Sequence, residues 1–156
     1  MNIFVLDLDP KKCAEYHVDK HVIKMILEQS QILCGVHHMT NSQYIIPYKL
    51  SHKNHPCCIW ARECIENYNW LCELGIELCE EYTYRYGKRH KSQDIIEWAM
   101  IHKPNIRSNG SLTPFALAMP DECKVGNSVE SYRQYYMVAK RDFATWKYRE
   151  TPSWFI

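Results

Sequence analysis

The sequence predicts an all-α fold: one domain over residues 1–156, with five or six helices and a long ordered loop before the last. Three observations carry this. Aromatic residues make up 13% of the chain while glycines number five, a mix that suits helices packed through aromatics rather than a turn-rich β sandwich. Apolar residues recur at helical spacing along most of the chain. The length, 156 residues, leaves no room for a second domain. Folding a chain of that size buries about two-thirds of its surface, so no disulfide or metal staple is needed.

The elements follow in order. Ile3 to Leu8 is a short apolar run, strand-like or extended. Asp9-Pro10 reads as a cap with proline at the first helical position, opening a brief helix through Tyr16. Asp19 starts a longer helix to about Gly35, with Val22, Met25, Ile26, Ile32, Leu33 and Val36 on its buried side. After a polar loop, Asn54 is a cap and Pro56 sits just inside the next helix. Helix continues from Cys57 to Tyr86 as two pieces meeting near Glu63–Asn67, and Gly87 ends it as a left-handed cap. A shorter helix covers about Gln93 to Ile101. Residues 103–126 carry Pro104, Gly110, Pro114 and Pro120, which stop helices, yet Leu112, Phe115, Leu117 and Met119 are too apolar for disorder. Asn127 and Glu130 form a variant capping box for a last helix to about Trp146.

Charge and cysteine usage exclude several classes. Lys and Arg number 19 against 18 Asp and Glu, a formal charge of +1. That balance argues against a protein that wraps duplex DNA by bulk charge, and leaves room for a local basic site. Of the eight cysteines, Cys57, Cys58, Cys64, Cys72 and Cys79 fall in one helical region at separations that cannot bridge. They read as small core residues of a reduced, cytoplasmic protein. The N-terminus has no basic leader region, and no stretch approaches a membrane span, so no membrane partner is expected. A homo-oligomer stays open.

Four constellations could carry chemistry. His17, His21, Lys24, Glu28 and Gln31 align on one helical face, with Lys20 beside them, near a helix start suited to phosphate. His52, Asn54 and His55 precede a second helix start, followed by Trp60 for stacking and Arg62 for phosphate. Arg85, Lys88, Arg89 and His90 cluster at a helix end. Thr113-Pro114-Phe115 could form a lid or a stacking platform, a role open to Tyr84 as well. The bland readings are solvated faces, local capping, core aromatics and dipole compensation. Zinc has His17–His21 and His52–His55 to draw on, but no His-Glu-x-x-His and no thiolate partner, so no metal is expected. No Gly-rich phosphate loop or dinucleotide fingerprint occurs, and no cofactor is expected.

Several blocks together resemble a widespread family of small bacteriophage proteins. They are Tyr16-His17-Val18-Asp19-Lys20-His21-Val22-Ile23-Lys24-Met25, His52-Lys53-Asn54-His55-Pro56 with Trp60, Glu81 through Lys88 with His90, Thr113 through Pro120, Ser131-Tyr132-Arg133, and the closing Pro152-Ser153-Trp154-Phe155. That family is similar, at a distance, to the all-α pyrimidine-dimer DNA glycosylases of T-even phages. The resemblance implies a helical fold and a location in the cytoplasm of an infected bacterial host. It also implies chemistry by an N-terminal α-amino group, freed by Met removal and helped by a Glu on the following helix. Here residue 2 is Asn2, whose bulk blocks Met removal, and the stretch Lys20 to Lys24 holds no Glu; Glu28 lies a turn later.

Two function classes follow. In the first, the protein binds a phosphorylated nucleotide and sequesters a cyclic-nucleotide signal of host defence. In the second, it is a DNA glycosylase and abasic-site lyase of the pyrimidine-dimer type, with DNA as partner. The low charge and the unmatched nucleophile favour the first, with no imine chemistry at the N-terminus. The expected ligand site joins His17, Lys20, His21 and Lys24 to His52, Asn54, His55, Trp60 and Arg62. Arg85 and Lys88 are expected on the rim, with Phe115 as a stacking face.

Overall fold

The first helix begins where a cap and a proline coincide. A computed structural model describes residues 1–156. In it the Asp9 carboxylate accepts from Lys11 N–H at 3.3 Å, and Pro10 opens α1 (Pro10–Tyr16). Then come α2 (Asp19–His38), α3 (Pro56–Ala61), α4 (Ile65–Tyr86), α5 (Gln93–Ile101) and α6 (Ser128–Ala139). Short 3₁₀ turns lie at Asp121–Cys123 and Arg141–Phe143, and there is no strand. The all-α expectation holds, with six helices. No helix is long and apolar enough to cross a membrane.

α2 and α4 form the centre, with α1 and α5 against α4 and α3 against α2. The expected apolar stripe of α2 is wholly inside: Val22, Met25, Ile26, Ile32, Leu33 and Val36 pack among Tyr68, Leu71, Leu74 and Leu78 of α4. Ile3 to Leu6 is extended, unpaired by any strand, and buried under α2. Gly87 takes φ +70°, and its N–H closes α4 on the Thr83 carbonyl at 2.8 Å. All eight cysteines are buried, and burial pushes the thiols of Cys13, Cys72 and Cys79 up to about 12.

Four expectations shift. α2 runs three residues past Gly35, to His38. The cap of α3 is His55, whose Nδ1 accepts from Cys57 N–H at 3.1 Å; Asn54 is exposed. α6 stops at Ala139 rather than near Trp146. The reason is the start of α2, which has no side-chain cap of its own. Asp19 N–H donates to the Thr145 carbonyl at 2.8 Å, and the Asp19 carboxylate accepts from Thr145 Oγ1 and Lys147 N–H. Those bonds draw residues 144–147 away from the α6 axis. Last, the polar stripe is only partly solvent-facing: His17, at the end of α1, and His21 and Glu28 on α2 are buried, while Lys24 is exposed.

The loop of residues 103–126 is fastened to the start of α4. Glu66 accepts from Asn109 N–H at 2.8 Å, and Asn67 exchanges hydrogen bonds with Thr113. Trp60 Nε1 donates to the Thr113 carbonyl, and Phe115 stacks on Trp60 with ring centroids 5.0 Å apart.

Candidate active site

The buried N-terminal segment delivers the α-amino group to α2. Asn2 fixes it. Its Nδ2 donates to the Ala118 carbonyl at 2.9 Å, while its Oδ1 accepts from Ile3 N–H and from the Tyr132 hydroxyl. The Met1 thioether accepts from the Cys58 thiol at 3.4 Å. These anchors set the Met1 ammonium 3.0 Å from Glu28 Oε1. The other carboxylate oxygen, Oε2, has no hydrogen-bond partner; Lys24 Nζ stands 3.8 Å away.

This pair lies in a cavity of about 350 Å³ lined by Met1, His21, Lys24, Glu28, His55 and Lys140, with Phe4 and Tyr135 among the aromatic walls. Lys140 Nζ sits over the Tyr135 ring at 4.6 Å. The cavity thus gathers an amine, one carboxylate, two lysines and two imidazoles. A nucleophilic amine beside a carboxylate is the minimum for imine chemistry at a sugar carbon, because the carboxylate can take and return the amine's proton.

The expected site residues divide. His21, Lys24 and His55 meet in this cavity. Lys20 is exposed and lies over the Phe143 ring at 4.8 Å. His52 and Asn54 are exposed on the loop leading to His55, and Arg62 holds that loop by donating to the Lys53 carbonyl at 2.7 Å. Lys88 is exposed beyond the end of α4.

Other placements differ from the expectation. His17 is fully buried, its Nδ1 against the Cys13 carbonyl, and burial lowers its pKa to about 4. Trp60 is a core residue between Trp70 and Phe115, so the two stacking faces cover each other. Arg85 is not on a rim: it is 1% exposed and bonded to Glu81, Asp19 and the carbonyls of His17 and Glu15. Tyr84 lies outside the site as well, half-exposed beside Tyr148.

The expected ligand site left out Met1, Glu28 and Lys140. The helical stripe did carry a signal for Glu28, which follows His21 by two turns and Lys24 by one. Lys140 had none, since only the tertiary fold brings the C-cap of α6 to the cavity.

No curated protein and no solved structure matches the chain. The family model described as pyrimidine dimer DNA glycosylase matches residues 1–94, which include Met1, α2 with Glu28, and the His55 cap. With more than half of its length under that model, the chain belongs to the pyrimidine dimer DNA glycosylase family.

Proposed function

We propose that the protein is a DNA glycosylase with abasic-site lyase activity, using the α-amino group of Met1 as nucleophile. The 3.0 Å contact between that group and Glu28 supports this above all. The amine, once neutral, attacks C1′ of a damaged pyrimidine nucleotide; the C1′–N1 bond breaks and its electron pair leaves with the base. Opening of the sugar then gives a protonated imine between Met1 and C1′. Of the three ammonium protons one stays on the imine nitrogen, one ends on the base and one on O4′. Glu28 relays them, and its unpartnered Oε2 has a free lone pair for the sugar hydroxyl. With a preformed abasic site the aldehyde condenses with the amine and releases water instead.

The low net charge does not oppose a DNA partner, because charge is unevenly spread. Between residues 17 and 62 the only carboxylates are Asp19 and Glu28. Asp19 is engaged by Arg85 and Glu28 by Met1. Lys20, Lys24, Lys49 and Lys53 in that span are exposed. Exposed Glu73 and Glu80 lie on α4 instead. A local basic face is enough to engage phosphates.

This reading replaces the expectation of no imine chemistry. The carboxylate sought between Lys20 and Lys24 is supplied in this reading by Glu28, one turn further along α2. Capture of a cyclic nucleotide has no support in the family, and phosphate capture alone gives no use for a carboxylate paired with the amine.

Borohydride trapping tests it. Incubated with a duplex holding one abasic site, the protein is expected to form a covalent adduct that maps to Met1 by peptide mass spectrometry. Glu28→Gln should slow trapping by about 10²–10⁴-fold. Absence of an adduct, or an adduct on a lysine side chain that persists after the amine is blocked, overturns the proposal.

A further inference from the structure

Two histidines in the cavity are held in one tautomer. His55 caps α3, and its Nδ1 must accept from Cys57 N–H at 3.1 Å, so its proton sits on Nε2. His21 Nδ1 lies 2.7 Å from the Tyr136 hydroxyl. That hydroxyl accepts from Val18 N–H at 3.3 Å and has one proton to give; donated to Nδ1, it leaves the His21 proton on Nε2. Both rings line the cavity with Nδ1 engaged, so each offers a ligand Nε2–H.

The His21 ring has little freedom. It stacks on Phe4 with centroids 4.2 Å apart and meets Phe143 edge-on at 5.8 Å. Burial lowers both imidazoles below their ordinary range, reinforced at His21 by His17, Lys140 and Lys24 and at His55 by the Met1 ammonium; His21 falls to about 3. The cavity therefore holds two kinds of donor. Lys24 and Lys140 bring charge. The histidines bring fixed N–H groups without charge, which suits a group that turns anionic only during reaction.

We propose that His21 and His55 form a hydrogen-bond donor pair for the C2 carbonyl oxygen of the departing pyrimidine. The assignment rests on the glycosylase reading above. As the C1′–N1 bond breaks, the electron pair spreads from N1 to the adjacent carbonyl oxygen, and the Nε2–H groups stabilise that charge as it forms. Tyr136 acts as a positioning residue through His21. An abasic sugar carries no base, so the pair has no partner in the lyase reaction.

The two substrates separate the roles. Single-turnover base release is measured on a duplex with one thymine cyclobutane dimer, scored as thymine freed on photoreversal because the cleaved base stays joined to its neighbour. Borohydride trapping is measured on a duplex with a preformed abasic site. His21→Ala, and His55→Asn, which keeps a capping side chain, should each slow base release by roughly 10²-fold. Trapping on abasic DNA should be slowed far less than base release. Tyr136→Phe should show the same split, more weakly. Equal losses on both substrates would mean that the rings only shape the site, and unchanged base release would mean that they do not act; either result overturns the pair. A parent protein that traps on abasic DNA but releases no base from the dimer also overturns it. A parent that does not trap at all overturns the glycosylase reading and this assignment with it.

Discussion

Arg85 Nε donates to Glu81 Oε2 across 2.7 Å, with both side chains almost fully buried. The same guanidinium reaches Asp19 and the carbonyls of Glu15 and His17, so it ties α4 to the junction of α1 and α2. Four of its five N–H groups are aimed at fixed protein acceptors. Removing one partner leaves a buried charge exposed to nothing. Arg85→Ala should therefore cost about 3–5 kcal/mol of unfolding free energy. Arg85→Lys keeps the charge and loses the fork, so it should be clearly destabilising too. A urea midpoint unchanged in Arg85→Lys would contradict this account.

Acid should weaken the fold before the carboxylates titrate. His17 and His21 are held down to about 4 and about 3 by burial, against an ordinary value of 6.5. Both are neutral in the folded protein, while the unfolded chain takes up protons below pH 6.5. Their contribution is complete above that value and is lost as pH falls towards the folded values. For His17 alone the loss is about 3 kcal/mol. Urea denaturation at pH 7, 6 and 5 should show a falling stability, with the His17 ring signals still those of a neutral imidazole at pH 5. A flat profile over that range would contradict the burial.

Lys24 and Lys140 should act on DNA as point charges. Lys24 is 68% exposed at its side chain, and Lys140 lies over the Tyr135 ring. Lys24→Ala and Lys140→Ala should each weaken binding to any duplex alike. Each should also lower the slope of log affinity against log salt by about 1, leaving the melting temperature nearly unchanged. Arg62→Ala should differ, since Arg62 holds the Lys53 carbonyl and thus the loop before His55. Its loss should weaken binding with the salt slope preserved. A slope unaltered in both lysine variants would remove them from the DNA face.

The helices were legible in the sequence because their ends are local events. Asp9-Pro10, Asn127 with Glu130 three residues on, and Gly87 each fix a boundary with side chains a few residues apart. The early end of α6 was not legible, because its cause is a carboxylate more than a hundred residues away, Asp19. The same reasoning divides the site. His21, Lys24 and Glu28 share a helical face and could be read together. That this face is covered by residues 1–4 follows from the apolar run Ile3 to Leu6, which has to be buried somewhere; the sequence does not say against which helix. Arg85 misled for a related reason. A basic residue in the last turn of a helix normally faces water, and only the partners Glu81, Asp19, Glu15 and His17 make its burial affordable.

Gly75 offers a test of packing remote from the cavity. It lies within α4, where alanine would favour the helix by about 1 kcal/mol on propensity alone. A Cβ there would come within 2.9 Å of both Cδ1 and Cγ2 of Ile96 on α5. Ile96 is fully buried and cannot swing aside, so α5 would have to move. Overpacking of this kind costs about 1–3 kcal/mol, which outweighs the propensity gain. Gly75→Ala should therefore lower stability by up to about 2 kcal/mol. Ile96→Ala alone should cost about 2–5 kcal/mol, and the double variant should be less destabilised than the sum, because the new methyl occupies the space vacated. Trapping on abasic DNA should be unaffected in the folded Gly75→Ala variant, since neither residue lines the cavity. Gly75→Ala that raises the urea midpoint would show that α4 and α5 do not approach as closely as the glycine implies.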